Sequence, residues 1–309
     1  MSIKYLKHEQ IDPEKWNAAV LSSSTPLFYA IFSYLDCVTE NRWDALVFND
    51  YEAIFPLPYK KKWVFKYLVQ PVFCQQLGAF GSSQSITTAD FLKAIPKTFL
   101  RVRLNLNGYF DGVNASTLQT TKTFVSTKTP KTNLILGLNN APSYNKDCQK
   151  NLSRLEKIPI NYSVNALSVE QAIDIYRSAW GDLNPNIGDF EYSILANAFV
   201  KHASHTEEAS FVLSAHHSER NETLGAAIFF ITPPSSTSGL RCIHYVCAGP
   251  TEAGRSMGIM HGIIHWVIQK YAGENVLLDF EGSSIPSVAS FYKKFGATEF
   301  PYFVFARGV

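Results

Sequence analysis

The sequence is poor in charge and has no paired-cysteine pattern. Charged residues make up 17% of the 309 positions, and 46% are hydrophobic. Average globular chains carry about a quarter charged residues, so this composition predicts a substantial core and argues against intrinsic disorder. The five cysteines are scattered, odd in number and lack any C-x-x-C spacing. Neither a disulfide framework nor a zinc knuckle is indicated, and we expect reduced thiols.

Long apolar runs and a strong net charge are also missing. No run approaches the ~18 residues of a membrane span, and residues 1–16 lack the apolar segment of a signal peptide. We therefore expect a cytoplasmic protein without membrane insertion. The net charge of +2 argues against a dedicated nucleic-acid binder. Lys60, Lys61 and Lys62, with Tyr59 and Trp63 beside them, could contact RNA or phosphate. A solvated loop is the favoured alternative.

Several familiar catalytic motifs are absent. The sequence has no Gly-x-Ser-x-Gly elbow and no Walker-type Gly-Lys-Ser/Thr. His261 and His265 are one helical turn apart, but Gly262 stands where a metalloprotease has Glu, and no third ligand is evident. We predict no metal.

Residues 277–297 (LLDFEGSSIPSVASFYKKFGA) give the clearest local pattern. A short apolar strand carries Asp279, and Glu281 follows on the same face because side chains alternate along a strand. After a glycine–serine break, Pro286 suits the first turn of a helix with apolar residues at 3–4 spacing. The pattern predicts Tyr292 on that helix, near the strand edge where α/β folds bind ligands.

The order of predicted elements is similar in the two halves of the chain. Polar residues 139–162 interrupt the first half, and the second half then restarts with a strand, helices and a meander. We predict an α+β (mixed α/β) chain with domains at residues 1–145 and 146–309. Two unrelated α+β units remain an open alternative, because no residue-level repeat joins the halves.

The loop at residues 251–260 lies between a predicted strand and a predicted helix over 256–271. Gly254 and Gly258 would let the backbone approach a ligand, and Arg255 adds a positive charge at the helix N-terminus. This arrangement suits a pyrophosphate. An ordinary turn with one surface arginine is the alternative.

These motifs resemble those of the GNAT superfamily of N-acetyltransferases. Arg255-Ser-Met-Gly258 is similar to its Gln/Arg-x-x-Gly-x-Gly/Ala pyrophosphate motif, and Phe291-Tyr292-Lys-Lys-Phe-Gly296 is similar to its later tyrosine helix. The longer C-terminal pattern and the stretches YEAIFPLPYKKK and QPVFCQQLGAFG resemble the tandem-GNAT, FemAB-like group of uncharacterised bacterial proteins. The resemblance implies two tandem acyl-CoA N-acyltransferase-like domains, each a mixed, mostly antiparallel sheet flanked by helices.

The resemblance also implies a site and a co-substrate, acetyl-CoA or another acyl-CoA. Tyr292 would protonate the leaving thiolate, and Glu281 is our candidate base for the acceptor amine. The predicted cofactor-binding residues are Ala248, Gly254, Arg255, Ser256, Met257 and Gly258. The predicted substrate-binding residues are Tyr67, Gln75, Gln76, Asp279 and Ser283. Structural alternatives stay open: a cap or ion pair for Glu281, core packing for Tyr292, and buried amides for the glutamines.

Three functions are compatible with the sequence. The first is an acyl-CoA-dependent N-acyltransferase acting on a small amine, amino-sugar or peptide acceptor. The second is Fem-like aminoacyl transfer from tRNA to cell-wall precursors, which needs a basic surface. The third is a non-catalytic binding protein, favoured by Met260, which stands where the GNAT motif has a small residue.

Overall fold

The computed structural model describes six stretches of the chain, residues 2–110, 125–126, 130–183, 185–204, 209–282 and 285–308. The chain forms two compact units. Unit 1 comprises Met1–Asn133, Thr232–Arg241 and Phe300–Val309, and unit 2 comprises Leu134–Ile231 and Cys242–Glu299. The first break thus precedes the predicted boundary at residues 145 and 146, and a hairpin loop and the last strand return to unit 1.

The described chain contains both helices and strands, often in short runs of one kind. The helices are α1 (Pro13–Leu21), α2 (Phe32–Thr39), α3 (Thr88–Ala94), α4 (Lys146–Leu155), α5 (Val169–Trp180), α6 (Asp189–Ala203), α7 (Glu252–Met257), α8 (Ile259–Lys270) and α9 (Pro286–Lys293). The strands are β1 (Ile3–Leu6), β2 (Trp43–Phe48), β3 (Ala53–Lys62), β4 (Phe65–Val69), β5 (Phe80–Gly81), β6 (Phe99–Leu106), β7 (Val125–Ser126), β8 (Lys131–Gly137), β9 (Ile160–Val164), β10 (Ser210–His217), β11 (Glu222–Thr232), β12 (Arg241–Pro250), β13 (Val276–Asp279) and β14 (Thr298–Arg307).

Unit 1 is built on a mixed sheet with the strand order β1-β2-β3-β4-β6-β14. Neighbouring strands are antiparallel except β4 and β6, which are parallel. The core includes Phe55, Phe91 and Leu104, all fully buried. α1 begins at Asp12, whose carboxylate accepts hydrogen bonds from the Glu14 and Lys15 N–H groups, and this cap satisfies donors that the first turn leaves unpaired.

Unit 2 has the strand order β8-β13-β12-β11-β10-β9. The pairs β8–β13, β10–β11 and β9–β10 are antiparallel. α8 packs its Ile263, Ile264 and Val267 into the core, at the spacing that gives a helix one apolar face. The start of α5 is capped by Ser168 and Gln171, which form a capping box.

The strand–turn–helix prediction for residues 277–297 is confirmed. β13 ends at Asp279, Pro286 is the first residue of α9, and Gly296 follows the helix with φ +92. Glycine tolerates this left-handed backbone without steric cost. The turn brings α9 over the sheet, so its aromatic residues reach the side chains of β12 and β13.

The helix predicted over residues 256–271 is confirmed from Ile259 onward, but its predicted start is wrong. Two helices occupy this region, α7 and α8, and Gly258 between them has φ +76. Gly258 ends the first helix with the left-handed residue common at helix C-termini. The periodicity of the longer helix hid this break, because the apolar stripe of α8 starts directly after it.

All five cysteines are free thiols, as predicted. Among the described residues, no helix combines the length and the apolar character that crossing a bilayer requires.

Gly254 is required for the close packing of α7 against β11. A Cβ at this position would overlap the carbonyl oxygen of Leu224 and lie 2.9 Å from the Ile259 Cγ2. Gly254→Ala is therefore expected to lower the free energy of unfolding by at least about 2 kcal/mol, because backbone must move to make room.

Gly181→Ala is the matched control for this prediction. Gly181 has helical φ −55 and ψ −40, and an added Cβ would lie 3.9 Å from the Arg177 Cβ, an ordinary contact. Urea unfolding of both variants checks the prediction. Equal stabilities would show that α7 is not packed this closely.

Candidate active site

One imidazole and two carboxyl groups form a buried cluster on the neighbouring strands β12 and β13. His244 projects from β12 and is fully buried, and Asp279 at the end of β13 is also buried. The Glu281 side chain is 15% exposed. The His244 Nδ1 and the Glu281 Oε1 are 2.7 Å apart and hydrogen-bonded. The cluster is therefore enclosed by the sheet yet touches solvent through Glu281.

The backbone after β13 holds Glu281 in place. Glu281 has φ +55 and Gly282 has φ +70, so two successive left-handed residues turn the chain off the strand. The left-handed region is uncommon for a glutamate. The Glu281 N–H donates to the Asp279 Oδ1 at 2.7 Å and closes this turn. One carboxyl group thus fixes the backbone of the other and directs it toward His244.

Burial makes both members of the pair neutral over a wide pH range. Removal from water lowers the pKa of His244 to about 4, against a smaller opposing effect of Asp279. Removal from water raises the pKa of Glu281 to about 8. Both shifts have the same origin, since a low-dielectric site disfavours the charged form of either group. Near neutral pH the pair therefore holds one proton on Glu281 and a neutral imidazole.

The hydrogen bond allows either ionisation state of Glu281. When Glu281 is protonated, its O–H can donate to an unprotonated Nδ1 of His244. When Glu281 is ionised, the imidazole tautomer with a proton on Nδ1 can donate to the carboxylate. His244 therefore supports a carboxyl group that gains and loses a proton without leaving its position.

The same three side chains are a ligand set that a divalent cation accepts. One ligand atom from each of His244, Asp279 and Glu281 lies within 4.8 Å of the other two. An imidazole with two carboxylates suits zinc or other divalent transition metals. The sequence predicts no metal, and within the cluster Glu281 is bonded to His244 through its side chain and to Asp279 through its N–H.

Tyr292 on α9 packs beside the same strands but on other residues. Its ring stacks on Phe280 with centroids 4.5 Å apart and meets Tyr245 edge-on at 6.0 Å. Phe280 precedes Glu281 and Tyr245 follows His244, so strand alternation directs these rings to the opposite face of the sheet. Burial raises the pKa of Tyr292 above its ordinary value, so the phenol keeps its proton. No described hydrogen bond joins Tyr292 to Glu281.

Trp180 at the end of α5 contacts two of the predicted cofactor-binding residues. The guanidinium carbon of Arg255 lies 4.7 Å from the centre of the indole ring, a cation–π contact. Arg255 also donates to the Ala179 carbonyl at 3.1 Å. The Trp180 Nε1–H donates to the Ala248 carbonyl at 3.0 Å. Arg255 and Ala248 are thus both engaged within the protein.

The remaining predicted cofactor-binding residues lie on or beside α7. The side of Gly254 that a ligand would need is occupied by Leu224. Ser256 is exposed and its hydroxyl donates to the Ala253 carbonyl at 2.8 Å, while Met257 packs against the core of unit 2. Gly258 gives the chain its bend before α8.

Three of the predicted substrate-binding residues belong to unit 1. The buried Gln76 donates through its Nε2 to the Gln75 Oε1 at 2.6 Å, and the Gln75 Nε2 donates to the Asn133 Oδ1 at 3.1 Å. This is the buried amide network of the structural alternative. Tyr67 instead lines a basic recess on the surface of unit 1. Ser283 lies outside the described residues.

Sequence reasoning did not identify His244 or Trp180. His244 is a titratable residue inside the apolar strand segment Cys242–Cys247, and this was the available signal. The pairing of His244 with a side chain at the end of β13 requires that β12 and β13 be neighbours in the sheet. Sequence periodicity does not reveal which strands are neighbours. Trp180 follows apolar residues of α5 in the sequence, and its indole N–H gave no separate signal.

Comparisons with known proteins identify the fold. No protein-family model matches the chain, and no curated protein does. Among solved structures, FemX overlaps 98% of this chain and 97% of its own with a TM-score of 0.65 at 10% identity.

Two further structures are similar over nearly their full lengths. A conserved protein of unknown function from Bacteroides thetaiotaomicron VPI-5482 covers 99% of both chains with a TM-score of 0.57 at 10% identity. The L-PGS structure from Bacillus licheniformis covers 96% of this chain and 92% of its own with a TM-score of 0.56 at 12% identity. The chain therefore has the tandem GNAT fold of the FemAB-like type, as predicted, in the mixed α/β class.

The raised pKa of Glu281 predicts a specific dependence of stability on pH. In the unfolded chain the carboxyl ionises near 4.5, whereas the folded protein keeps it protonated to about 8. Between these values the folded state binds the extra proton, so stability falls as pH rises. His244, with an ordinary pKa of 6.5 and a folded value of about 4, opposes this only below pH 6.5.

Glu281→Gln should remove the part of this dependence above pH 6.5. Between pH 6.5 and 8 we expect the natural protein to lose roughly 2 kcal/mol more unfolding free energy than the variant. Urea titrations across this range measure the difference, with the exposed Glu299→Gln as the control. Parallel curves for the natural protein and Glu281→Gln would contradict the burial of a neutral carboxyl.

Proposed function

We propose that this protein transfers an acyl group to an amine, with Glu281 as the base. The observation that carries the proposal is the buried Glu281–His244 pair, in which the pKa of Glu281 is raised to about 8. A general base works best when its pKa is near the working pH. An ordinary surface glutamate is too weak a base for this step, and the tandem GNAT fold is compatible with it.

The reaction includes two proton transfers, one from the attacking amine and one to the leaving group. The amine nitrogen attacks the carbonyl carbon of the donor and forms the new C–N bond, and its proton passes to the Glu281 carboxylate. The tetrahedral intermediate then expels the thiolate or alkoxide with the bonding electron pair. The proton on Glu281 then passes to that leaving group. The products are an amide and a thiol or hydroxyl compound.

His244 is a positioning residue in this proposal. It contacts Glu281 and not the reacting atoms, and its neutral imidazole can donate to the ionised carboxylate without adding a charge. Asp279 acts in the same way through the Glu281 N–H. Together they hold the carboxylate in one orientation. A correctly oriented catalytic group reacts faster than a freely moving one.

Acyl-CoA is the first candidate donor. The Arg255-x-x-Gly258 resemblance and the half-buried turn between α7 and α8 support it. In this case Trp180 must release Arg255 and the Ala248 carbonyl when the cofactor binds. Met260 packs against the core of unit 2, so its bulk does not by itself argue against a diphosphate at the turn.

A Fem-like aminoacyl ester of tRNA is the second candidate donor. The contacts of Trp180 with Arg255 and Ala248 favour it, since these two groups are then used for structure and not for CoA. The resemblance to the Fem enzymes suggests an amine on a cell-wall precursor as acceptor. With acyl-CoA as donor, a small amine or amino-sugar is the proposed acceptor.

Activity should depend on Glu281 with either donor. We expect Glu281→Gln to lower kcat/KM by about 100-fold or more, the usual contribution of a general base. In the natural protein, kcat/KM should rise with pH through a midpoint near pH 8 and level off above it, as Glu281 becomes ionised. Release of CoA from acetyl-CoA and deacylation of aminoacyl-tRNA, each with a panel of amines, provide the assays.

Two controls make this test specific. Glu299→Gln changes an exposed carboxyl in the same unit and should leave kcat/KM unchanged. Tyr292→Phe removes a phenol whose ring packs against Phe280 and Tyr245 on the opposite face of the sheet, and it should also leave kcat/KM unchanged. Full activity of Glu281→Gln would overturn the proposal, and absence of transfer from both donors would favour the non-catalytic alternative.

Trp180→Phe separates the two donors. The variant keeps a ring beneath Arg255 but loses the donor to the Ala248 carbonyl. If acyl-CoA is the donor, its Kd should fall by about 5-fold, because a hydrogen bond worth roughly 1 kcal/mol no longer has to be broken. Calorimetry with acetyl-CoA measures this. Undetectable affinity in both proteins would remove acyl-CoA as the donor, and an equal, measurable affinity would show that Trp180 keeps its contacts when acyl-CoA binds.

A further inference from the structure

The hairpin of β3 and β4 exposes apolar side chains at its tip. Trp63 and Val64 form the two-residue turn and are 89% and 87% exposed. Phe65, the first residue of β4, and Leu100 on β6 are each about half exposed. Isolated exposed apolar residues are normal, but a contiguous group on one tip indicates an interaction site. We call residues Tyr59–Tyr67 the basic–aromatic hairpin.

The backbone of the tip is unfavourable for the residue it carries. Trp63 has φ +60, and hairpin turns give such a first position to glycine, asparagine or aspartate. A bulky residue with positive φ is an outlier that costs about 1 kcal/mol or more. Since the Trp63 side chain is almost fully exposed, packing within the protein does not compensate for this cost.

Positive charge surrounds the tip. Lys60, Lys61 and Lys62 are exposed at the end of β3, and Arg101 and Arg103 are exposed on β6. Strand pairing places Lys60 opposite Tyr67, and Tyr67 beside Arg101. These side chains therefore share one row of the sheet and one surface.

This positive charge is not neutralised within the described part of the chain. The nearby Lys66 forms an ion pair with Asp44 at 2.6 Å, but Lys60, Lys61 and Lys62 have no carboxylate partner there. Burial and the positive charge of Arg103 together lower the pKa of Lys131. A recess of about 780 Å³ lies among these groups, lined by Lys60, Lys61, Lys62, Tyr67, Leu100, Arg101 and Gly308. The whole chain is nearly neutral at +2, so cations are concentrated here.

We propose that the basic–aromatic hairpin binds the protein to the surface of an anionic lipid bilayer. Trp63, Val64 and Phe65 would enter the boundary between headgroups and acyl chains, where tryptophan is favoured. The lysines and Arg101 would contact the anionic headgroups, each contributing attraction within a Debye length of the surface. This inference is independent of the acyl-transfer proposal, since it rests on unit 1 alone.

The apolar tip favours a bilayer over a nucleic acid. Nucleic-acid surfaces combine basic groups with aromatic rings that stack on bases. Here the tip also carries Val64, and Leu100 lies beside it. Aliphatic side chains such as these neither stack on bases nor form hydrogen bonds to phosphate. The apolar residues lie at the tip of the hairpin and the lysines lie next to them. This order matches a membrane interface, where apolar side chains insert and basic side chains remain at the headgroups.

Vesicle sedimentation of the full chain tests the proposal. The probes are vesicles of phosphatidylcholine alone and of phosphatidylcholine with about one third phosphatidylglycerol. We expect binding to the anionic vesicles only, weakened by high salt, with a blue shift of tryptophan emission. Trp63→Gly should reduce the partition coefficient roughly tenfold by removing the inserting ring. It should leave Tm unchanged or higher, because glycine accepts the positive φ.

Matched control variants distinguish binding by this surface from non-specific adsorption of the protein to vesicles. Phe190→Ala removes another exposed aromatic residue, 58% exposed in unit 2, and should leave binding unchanged. The double variant Lys60→Glu with Lys62→Glu should abolish binding. Lys157→Glu with Lys201→Glu makes the same change in net charge at exposed sites of unit 2 and should have little effect.

Three results would overturn the proposal. These are equal binding to both vesicle types, absence of binding to the anionic vesicles, and full binding by Trp63→Gly. Salt-sensitive binding of a tRNA or other RNA that requires Lys60 and Lys62, without any vesicle binding, would assign the surface to nucleic acid instead.

Discussion

The buried hydrogen bond between His244 and Glu281 is the interaction on which the functional account depends. A carboxyl exposed to water would be ionised at neutral pH, because its ordinary pKa is 4.5. Burial disfavours the charged form of both the carboxyl and the imidazole, and leaves the pair neutral. Glu281 then becomes a base of intermediate strength at the one point of the cluster that reaches solvent. Its pKa is a property of the fold and not of the residue alone.

The surrounding structure maintains this arrangement from both sides of the sheet. Strand alternation separates the polar cluster from the aromatic packing of Phe280, Tyr245 and Tyr292. The Asp279 carboxylate closes the turn that carries Glu281. Toward the end of β12, the Trp180 Nε1–H donates a hydrogen bond to the Ala248 carbonyl. His244 and Ala248 therefore share β12, and whether the acid–base groups and the predicted cofactor groups act together depends on Trp180.

Local patterns were sufficient to predict most of the elements in this region. The spacing around Pro286 and Gly296 predicted α9, but Glu281 lies beyond the end of β13 in a left-handed turn that alternation did not predict. The same patterns missed the break at Gly258, because an apolar stripe continues across a bend when a new helix starts at once. The tandem fold followed from the resemblance, and the structural comparisons confirm it.

The site was less accessible from sequence than the fold. Glu281 was selected for its place at a strand end, but its partner His244 is 37 residues away and becomes visible only with the sheet order. The role of Arg255 could not be anticipated either, since nothing in its motif reveals the indole of Trp180. Contacts between distant segments, and the loss of water around them, determine the ionisation and the accessibility of these side chains. Neither effect produces a periodic pattern in the sequence.

The most direct test of the account is the ionisation midpoint of Glu281 in the folded protein. Carbon-13 labelling of glutamate side chains allows the carboxyl resonances to be followed by NMR as pH changes, and the resonance missing from Glu281→Gln assigns the signal. The account predicts a midpoint near pH 8. A midpoint close to the ordinary value of 4.5 would show that the carboxyl is solvated and would contradict its proposed role as the base.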